Sequence, residues 1–185
     1  MKEQILIDNT QYKLVVKYNE VDLDYYTDVF VEVILNNERF TLFKDNLLEL
    51  RNIIKSGINN IKELNYNLEE SSLGILLNEY YLSLYDAQEL SYLIEDDTGE
   101  WIGVKYCISI GSESAVWLYK YKGKIIFRVT PLFNHFEEPQ YVDEFIKFKE
   151  SYKDILKKNI SVDDLKKAKE IILQLYSEFI DSCEK

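Results

Sequence analysis

The chain has few of the residues that build metal or redox centres, with one histidine and two cysteines among 185 residues. A histidine-based metal site needs at least a second histidine, and His135 is the only histidine in the sequence, so such a site is excluded. Cys107 and Cys183 lie far apart and follow no metal or redox spacing, which predicts two reduced thiols in a cytoplasmic protein. No cofactor is therefore predicted.

Long apolar runs are also lacking. No run approaches the roughly 18 residues that a membrane-spanning helix needs. The N-terminal segment MKEQILIDNT has no apolar stretch after Lys2 of the kind a signal peptide carries. We expect a soluble protein that does not bind membranes.

Glycine is scarce, at six residues, and the motifs that use it are missing. Residues 122–124 are too short for a phosphate-binding loop, and residues 111–114 do not match a nucleophile elbow. Asp22, Asp24 and Asp28 resemble the start of a calcium loop, but the central glycine and the closing glutamate are absent. No catalytic residue is predicted.

Hydrophobic residues make up 46% of the chain and aromatic residues 14%, which is typical of a globular protein. The length suits one domain over residues 1–185, with a β-rich acidic part at 1–139 and helices at 140–185 packed on it. Frequent tyrosine and phenylalanine with only two prolines favour strands.

Strands are predicted where apolar residues alternate. Tyr12, Leu14, Val16 and Tyr18 share one face of a first strand. Asn36 and Asn37, which tolerate positive φ, predict a hairpin turn between two further strands. The predicted strands are residues 12–18, 29–35, 39–43, 63–68, 75–84, 90–95, 101–110, 115–121 and 124–129. Residues 73–85 also fit helical spacing, so a helix is the alternative there.

Helices are predicted in two places. Asp45 is the expected N-cap of a short helix that ends at Gly57. A helix beginning near Pro139 is followed by a second one, which starts at a capping box formed by Ser161 and Asp164. The predicted fold class is therefore α+β, with a mainly antiparallel β-sheet, one helix after the first strands and a C-terminal helical hairpin.

Charge is unevenly distributed in this acidic chain of net charge -11. Residues 63–100, which we call the acidic segment, contain no lysine or arginine. Its acidic residues are Glu63, Glu69, Glu70, Glu79, Asp86, Glu89, Glu95, Asp96, Asp97 and Glu100. Such a segment repels nucleic acid and attracts basic proteins.

Tyrosines interleave with these carboxylates, and the combination is typical of a protein-binding surface. We therefore expect an inhibitor, such as an immunity protein or a phage anti-defence protein, that blocks a basic partner such as a nuclease. The oligomeric state is left open. The predicted partner-binding residues are Glu69, Glu70, Glu79, Tyr80, Tyr81, Tyr85, Asp86, Glu89, Glu95, Asp96, Asp97 and Glu100.

Other interpretations are left open by the same residues. The acidic segment can be a solvated face with no binding role. An aromatic-lined cleft for a small molecule or peptide is a second functional hypothesis, built from Tyr80, Tyr85, Trp101, Trp117 and Tyr119. A carboxylate-dependent metal hydrolase is a third.

Overall fold

The computed structural model describes residues 1–19, 24, 26–86, 90–134 and 141–183, with side chains through residue 85 and again from 90 to 134 and 141 to 178. Within these residues the fold is α+β, with two four-stranded antiparallel sheets and four α-helices, which confirms the predicted fold class. No helix in the described ranges has the length and apolar character needed to cross a membrane.

The first sheet, sheet A, is a meander of four consecutive strands. They are β1 (Lys2–Asp8), β2 (Lys13–Tyr18), β3 (Asp28–Leu35) and β4 (Glu38–Asn46). On the inner face of β2, Leu14, Val16 and Tyr18 are buried, as their alternation predicts. The outer face carries ion pairs that link Lys17 to Glu32 and Glu32 to Arg39.

Asparagines make the turn between β3 and β4, because both central residues need positive φ. Asn36 has φ 50° and Asn37 has φ 69°, which confirms the predicted hairpin. Lys122 (φ 48°) and Gly123 (φ 74°) make the equivalent turn in the second sheet. The two turns fix the register of their hairpins.

The second sheet, sheet B, has the order β5 (Cys107–Ile110), β6 (Ser114–Tyr121), β7 (Lys124–Pro131) and β8 (Leu156–Asn159). One face of sheet B packs into a core shared with sheet A. The opposite face forms a second core around Trp117 and Tyr119. Sheet B is therefore covered on both sides, which explains the unbroken run of buried residues in β6.

The helices are α1 (Leu47–Asn59), α2 (Leu73–Asp86), α3 (Tyr141–Ser151) and α4 (Val162–Cys183). Helix α4 packs against α1 and β1, where Ile172 and Leu175 are buried. Helix α3 contacts the segment that follows β7 through Phe145, which packs on Phe133 with ring centroids 5.2 Å apart.

The middle of the chain differs from the prediction. Residues 75–84 form helix α2 rather than a strand, as the alternative interpretation allowed. Residues 63–68 and 90–95 contribute only isolated bridges, at Glu63 and Glu95. Of residues 101–110, only β5 is a strand, and a 3-10 helix over Val104–Tyr106 precedes it.

The C-terminal region contains both predicted helices, with strand β8 between them. β8 pairs with β7 at the edge of sheet B, so the two helices pack on different parts of the molecule. Ser161 accepts a hydrogen bond from the Asp164 N–H (3.0 Å), as the capping box predicts. Pro139 and His135 lie outside the described residues.

The predicted ends of α1 also differ from the structure. Its N-cap is Asn46, whose side chain accepts a hydrogen bond from Glu49 N–H at 3.0 Å. The predicted cap, Asp45, instead accepts from the Asn46 N–H at 2.7 Å. Gly57 lies inside the helix and Asn60 ends it. An asparagine in extended backbone caps as well as an aspartate does, so sequence alone does not separate the two neighbours.

Candidate functional site

The acidic segment is organised by helix α2, which lies on the outer face of sheet B. Leu73 and Leu77 are fully buried and pack in the same core as Trp117 and Tyr119. Burying two leucines contributes about 1.5–3 kcal/mol each to the packing of this helix on the sheet. Tyr80 and Tyr81 follow on α2 and are half-buried.

Trp101 anchors the loop that follows α2. Its side chain is 1% exposed, and its ring lies 6.4 Å from that of Trp117 and 6.3 Å from that of Tyr80. The contact with Trp117 is edge-to-face, a favourable arrangement for aromatic pairs. Trp101, Trp117 and Tyr119 are therefore core residues and do not line the aromatic cleft of the second hypothesis.

Residues 95–100 form a tight turn directly before this anchor, and we call them the acidic turn. Glu95 and Trp101 form an antiparallel bridge, and the Asp96 N–H donates to the Glu100 carbonyl at 2.7 Å. Gly99 has φ 80°, a conformation that favours glycine, and nothing lies within 4 Å of the position its Cβ would take. The turn thus leaves its tip open to solvent.

The Asp96 carboxylate stabilises the turn from within. It accepts hydrogen bonds from the Thr98 N–H (2.8 Å) and the Thr98 hydroxyl (2.6 Å), and from the Glu100 N–H (3.3 Å). The hydrogen bonds from Thr98 come first among the causes that lower the pKa of Asp96, and the Lys105 charge adds a smaller effect. Asp96 therefore shapes the turn as well as carrying charge.

The other carboxylates of the turn face solvent. Glu95, Asp97 and Glu100 are exposed, and none of the three forms an ion pair with another described residue. Three negative charges on one short, hydrogen-bonded turn are thus available to an external cation or basic protein.

Tyr80 connects the acidic turn to helix α2. Burial raises the pKa of Tyr80, and the negative charges of Glu100, Glu95 and Asp96 raise it further. The Tyr80 ring lies 6.3 Å from that of Trp101, the residue directly after the turn, so Tyr80 lies next to the acidic turn.

Glu79 is already engaged within the protein. It pairs with Lys149 of α3 and accepts a hydrogen bond from the Tyr92 hydroxyl at 3.0 Å. Its side chain is only 14% exposed. Burial and the hydrogen bond to Glu79 raise the pKa of Tyr92 to about 12. Glu79 therefore links α2, α3 and the 90–94 loop, and little of it is left to contact a partner.

Glu70 is a structural residue. It is 7% exposed, it accepts a hydrogen bond from the Tyr119 hydroxyl at 2.5 Å, and it pairs with Lys157 of β8. Burial by itself raises the pKa of Glu70, but the hydrogen bonds from Lys157 and Tyr119 and nearby positive charges outweigh burial and lower it. The structure therefore places Glu70 in the fold rather than on the surface.

The remaining predicted residues are spread along α2. Glu69 is exposed before the helix begins and accepts a hydrogen bond from the Ser71 hydroxyl at 2.8 Å. Tyr85 is 56% exposed near the other end. At about 1.5 Å per residue, the helix separates these two by roughly 20 Å. The Asp86 side chain and all of Glu89 lie outside the described part.

An apolar cavity of about 400 Å³ lies beside Tyr85. Its walls come from Tyr81 and Tyr85 of α2, Ile110 of β5 and residues at the end of β7, including Leu132 and Phe133. Sequence patterns do not reveal this cavity, because it forms where separate elements end next to one another.

The third hypothesis, a metal hydrolase, needs carboxylates that converge on one point. Among the residues whose positions are described, no group of three or more histidine, cysteine, aspartate or glutamate side chains is arranged to hold a metal ion. In the acidic turn, the Asp96 carboxylate is hydrogen-bonded within the turn, whereas Glu95, Asp97 and Glu100 face solvent.

Comparison with known proteins gives no family. No family model matches this chain, and no curated protein or solved structure is significantly similar to it.

Proposed function

We propose that this protein binds a basic protein partner through the acidic turn and the tyrosines beside it, and that it blocks that partner. The observation that carries the proposal is the exposure of Glu95, Asp97 and Glu100 on one turn held by Trp101. A preformed turn loses little conformational entropy on binding, so its charges act with full effect.

The exposed hydrophobic residues that flank the turn support the same proposal. Tyr92 is 57% exposed and Ile94 is 42% exposed, both in the loop that leads into the turn. Tyrosine contributes contact area at low entropic cost, while the carboxylates steer a basic surface during encounter and pair with its arginines. A nuclease, whose active site must attract phosphate, is the class of partner we propose, met in the cytoplasm.

The first experiment compares partner capture by the native protein and by the triple variant Glu95→Gln/Asp97→Asn/Glu100→Gln. Asp96 is retained because its hydrogen bonds form the turn. The matched control is Glu38→Gln/Glu150→Gln/Glu170→Gln, which makes the same charge change at exposed positions elsewhere. Captured proteins from a lysate of the source organism are quantified at two salt concentrations.

The expected result is a basic protein that the native chain and the control retain and the triple variant loses, with capture falling as salt rises. The isolated partner is then assayed for nuclease activity, which the native protein should inhibit and the triple variant should not. Equal capture by the triple variant and the control would refute the role of the acidic turn.

A second candidate function is binding of a small apolar ligand or peptide side chain in the cavity beside Tyr85. The specific observation is its aromatic and aliphatic lining, with Tyr81, Leu132 and Phe133 around about 400 Å³. A Tyr85→Ala variant distinguishes the two functions, because it removes part of the cavity wall and leaves the acidic turn intact.

A further inference from the structure

A separate cavity opens at the other end of sheet B, between α1, the β6–β7 hairpin and the first turns of α4. Its volume is about 330 Å³, within the range of about 300–1,000 Å³ that small-molecule sites occupy. Residues from four segments of the chain line it, and we call it the lysine-rimmed cavity.

The floor of the lysine-rimmed cavity is aliphatic. Its members are Ile58, Ile61, Ile125, Val162 and Leu165. Leu165 is buried in the main core, while the three isoleucines pack against that core and stay partly exposed. Val162 is 52% exposed. The cavity therefore presents apolar surface to solvent, and covering that surface is favourable.

The rim carries three lysines. Lys120 and Lys166 are exposed, and neither forms an ion pair within the described ranges. Lys169 donates to the Asn59 side-chain oxygen at 2.7 Å. The chain has a net charge of -11, so a group of three lysines around one cavity has the opposite sign to the protein as a whole.

Acidic residues occur near this rim, but none of those that the structure describes is among the residues that line the cavity. Asp164 accepts a hydrogen bond from the Ser161 hydroxyl at 2.8 Å, which keeps its carboxylate in the cap of α4. Asp163 and Glu63 are exposed and do not line the cavity, although Glu63 pairs with Lys120 through an isolated parallel bridge. The charge that lines the cavity is therefore positive.

We infer that the lysine-rimmed cavity binds a small organic anion with an aliphatic body, such as a medium-chain carboxylate. The aliphatic chain of the ligand covers the isoleucine floor, and its carboxylate lies between the Lys120 and Lys166 ammonium groups. An inorganic anion leaves the floor uncovered, and a neutral hydrocarbon leaves the lysines unused. Only an amphipathic anion matches both parts of the lining. This inference does not depend on the proposed function of the acidic turn.

Calorimetric titration of the full chain with octanoate tests this inference, and octanol and octyltrimethylammonium serve as probes with the same chain and a different head group. The test variant is Lys120→Met/Lys166→Met, which keeps the apolar stems and removes the charges. The matched control is Lys124→Met/Lys167→Met, which changes one β-hairpin lysine and one α4 lysine outside the lining.

We expect saturable binding of octanoate and no saturable binding of octanol or octyltrimethylammonium. The affinity should fall about tenfold in the test variant, the combined effect of two exposed ion pairs, and change little in the control. A further variant, Val162→Asp, places a carboxylate on the floor at a first-turn position where aspartate suits the helix, and it should abolish binding without unfolding the protein.

Three results would overturn the inference. One is the lack of saturable octanoate binding by the native chain. Another is octanol binding as tightly as octanoate, since the lysines would then play no part. The third is an equal affinity for octanoate in the test and control variants, which would place the ligand elsewhere on the protein.

Discussion

At the scale of single residues, Glu70 shows how position decides the role of a carboxylate. It is adjacent in sequence to Glu69, and both belong to the same acidic segment. Glu69 faces solvent, whereas Glu70 enters a buried network with Tyr119, Lys157 and Arg128. Arg128 also pairs with Asp154 at 2.7 Å. A carboxylate without such partners would be costly to bury, because its lost hydration would not be compensated.

The Glu70→Gln variant should lower the free energy of unfolding by about 1–2 kcal/mol at neutral pH, because the ion pair with Lys157 is lost and the hydrogen bond from Tyr119 weakens. The folded-state pKa of Glu70 lies below its ordinary value of 4.5. Its stabilising effect is therefore present above that value and is lost as the pH falls through the folded-state pKa.

Urea unfolding of the native chain and of Glu70→Gln, at neutral pH and at a pH well below 4.5, measures the loss of stability and its pH dependence. The stability gap between the two proteins should narrow at the lower pH. Glu69→Gln is the matched control, and it should change stability by less than about 0.5 kcal/mol at either pH. A gap that does not change with pH would contradict the role given to the ionised carboxylate.

At the scale of secondary-structure elements, helix α2 is the most instructive case. Its sequence fits both an alternating and a helical pattern, since all three residues at 75–77 are apolar. Packing on sheet B selects the helix, because α2 covers the face of the sheet that carries Trp117 and Tyr119. Close packing there depends on Gly74, where a Cβ would overlap the Tyr152 hydroxyl and lie 2.8 Å from Thr130 Cβ.

Gly74→Ala should therefore destabilise the protein by roughly 1–3 kcal/mol, because overpacking outweighs the gain in helix propensity. Gly57→Ala in α1 is the matched comparison. The nearest atom to its Cβ is Ile108 Cγ2 at 3.1 Å, a partly exposed side chain that can shift. Its stability should stay level or rise by up to about 1 kcal/mol. Thermal or urea unfolding distinguishes them, and equal effects would refute the close approach of α2.

Strand β8 is the element that sequence patterns miss. Its residues, LKKN, include two lysines and one buried position, Leu156. A strand of four residues shows too few repeats for period-two alternation to be visible. β8 is specified instead by its partner, because it pairs with β7 from Ile126 to Val129. Tertiary pairing therefore supplies the information that local sequence lacks.

At the scale of the whole molecule, the acidic turn and the lysine-rimmed cavity lie in different regions. The acidic turn follows α2 on the outer face of sheet B, while the lysine-rimmed cavity lies beside α1 and α4. Grouping like charges on a turn costs stability through repulsion. The acidic turn therefore contributes little to the fold through its charges, apart from Asp96.

The free energy of unfolding of the Glu95→Gln/Asp97→Asn/Glu100→Gln variant should accordingly lie within about 0.5 kcal/mol of the native value. At low salt, where repulsion between the native carboxylates is least screened, the variant should be slightly more stable than the native protein. Urea unfolding at low and moderate salt provides the measurement. A loss of more than about 1 kcal/mol would mean that these carboxylates hold the fold, and loss of partner binding in the same variant would then have a structural cause.

Sequence by itself determined the elements whose signals are local. The asparagine turn after β3, the inward face of β2, the Ser161 capping box and the two C-terminal helices follow from backbone conformation, alternation and hydrogen bonding between near neighbours. These interactions span a few residues, so short patterns specify them. The acidic segment was evident for the same reason, because charge can be read directly from the chain.

Tertiary structure alone decided which of those charges reach solvent. Glu70 and Glu79 are engaged by Lys157 and Lys149, which lie far away in the sequence, and Trp101 is buried because α2 folds over sheet B. Both cavities form between elements distant in sequence. The physical reason is that burial depends on long-range packing, which periodicity within one element does not encode.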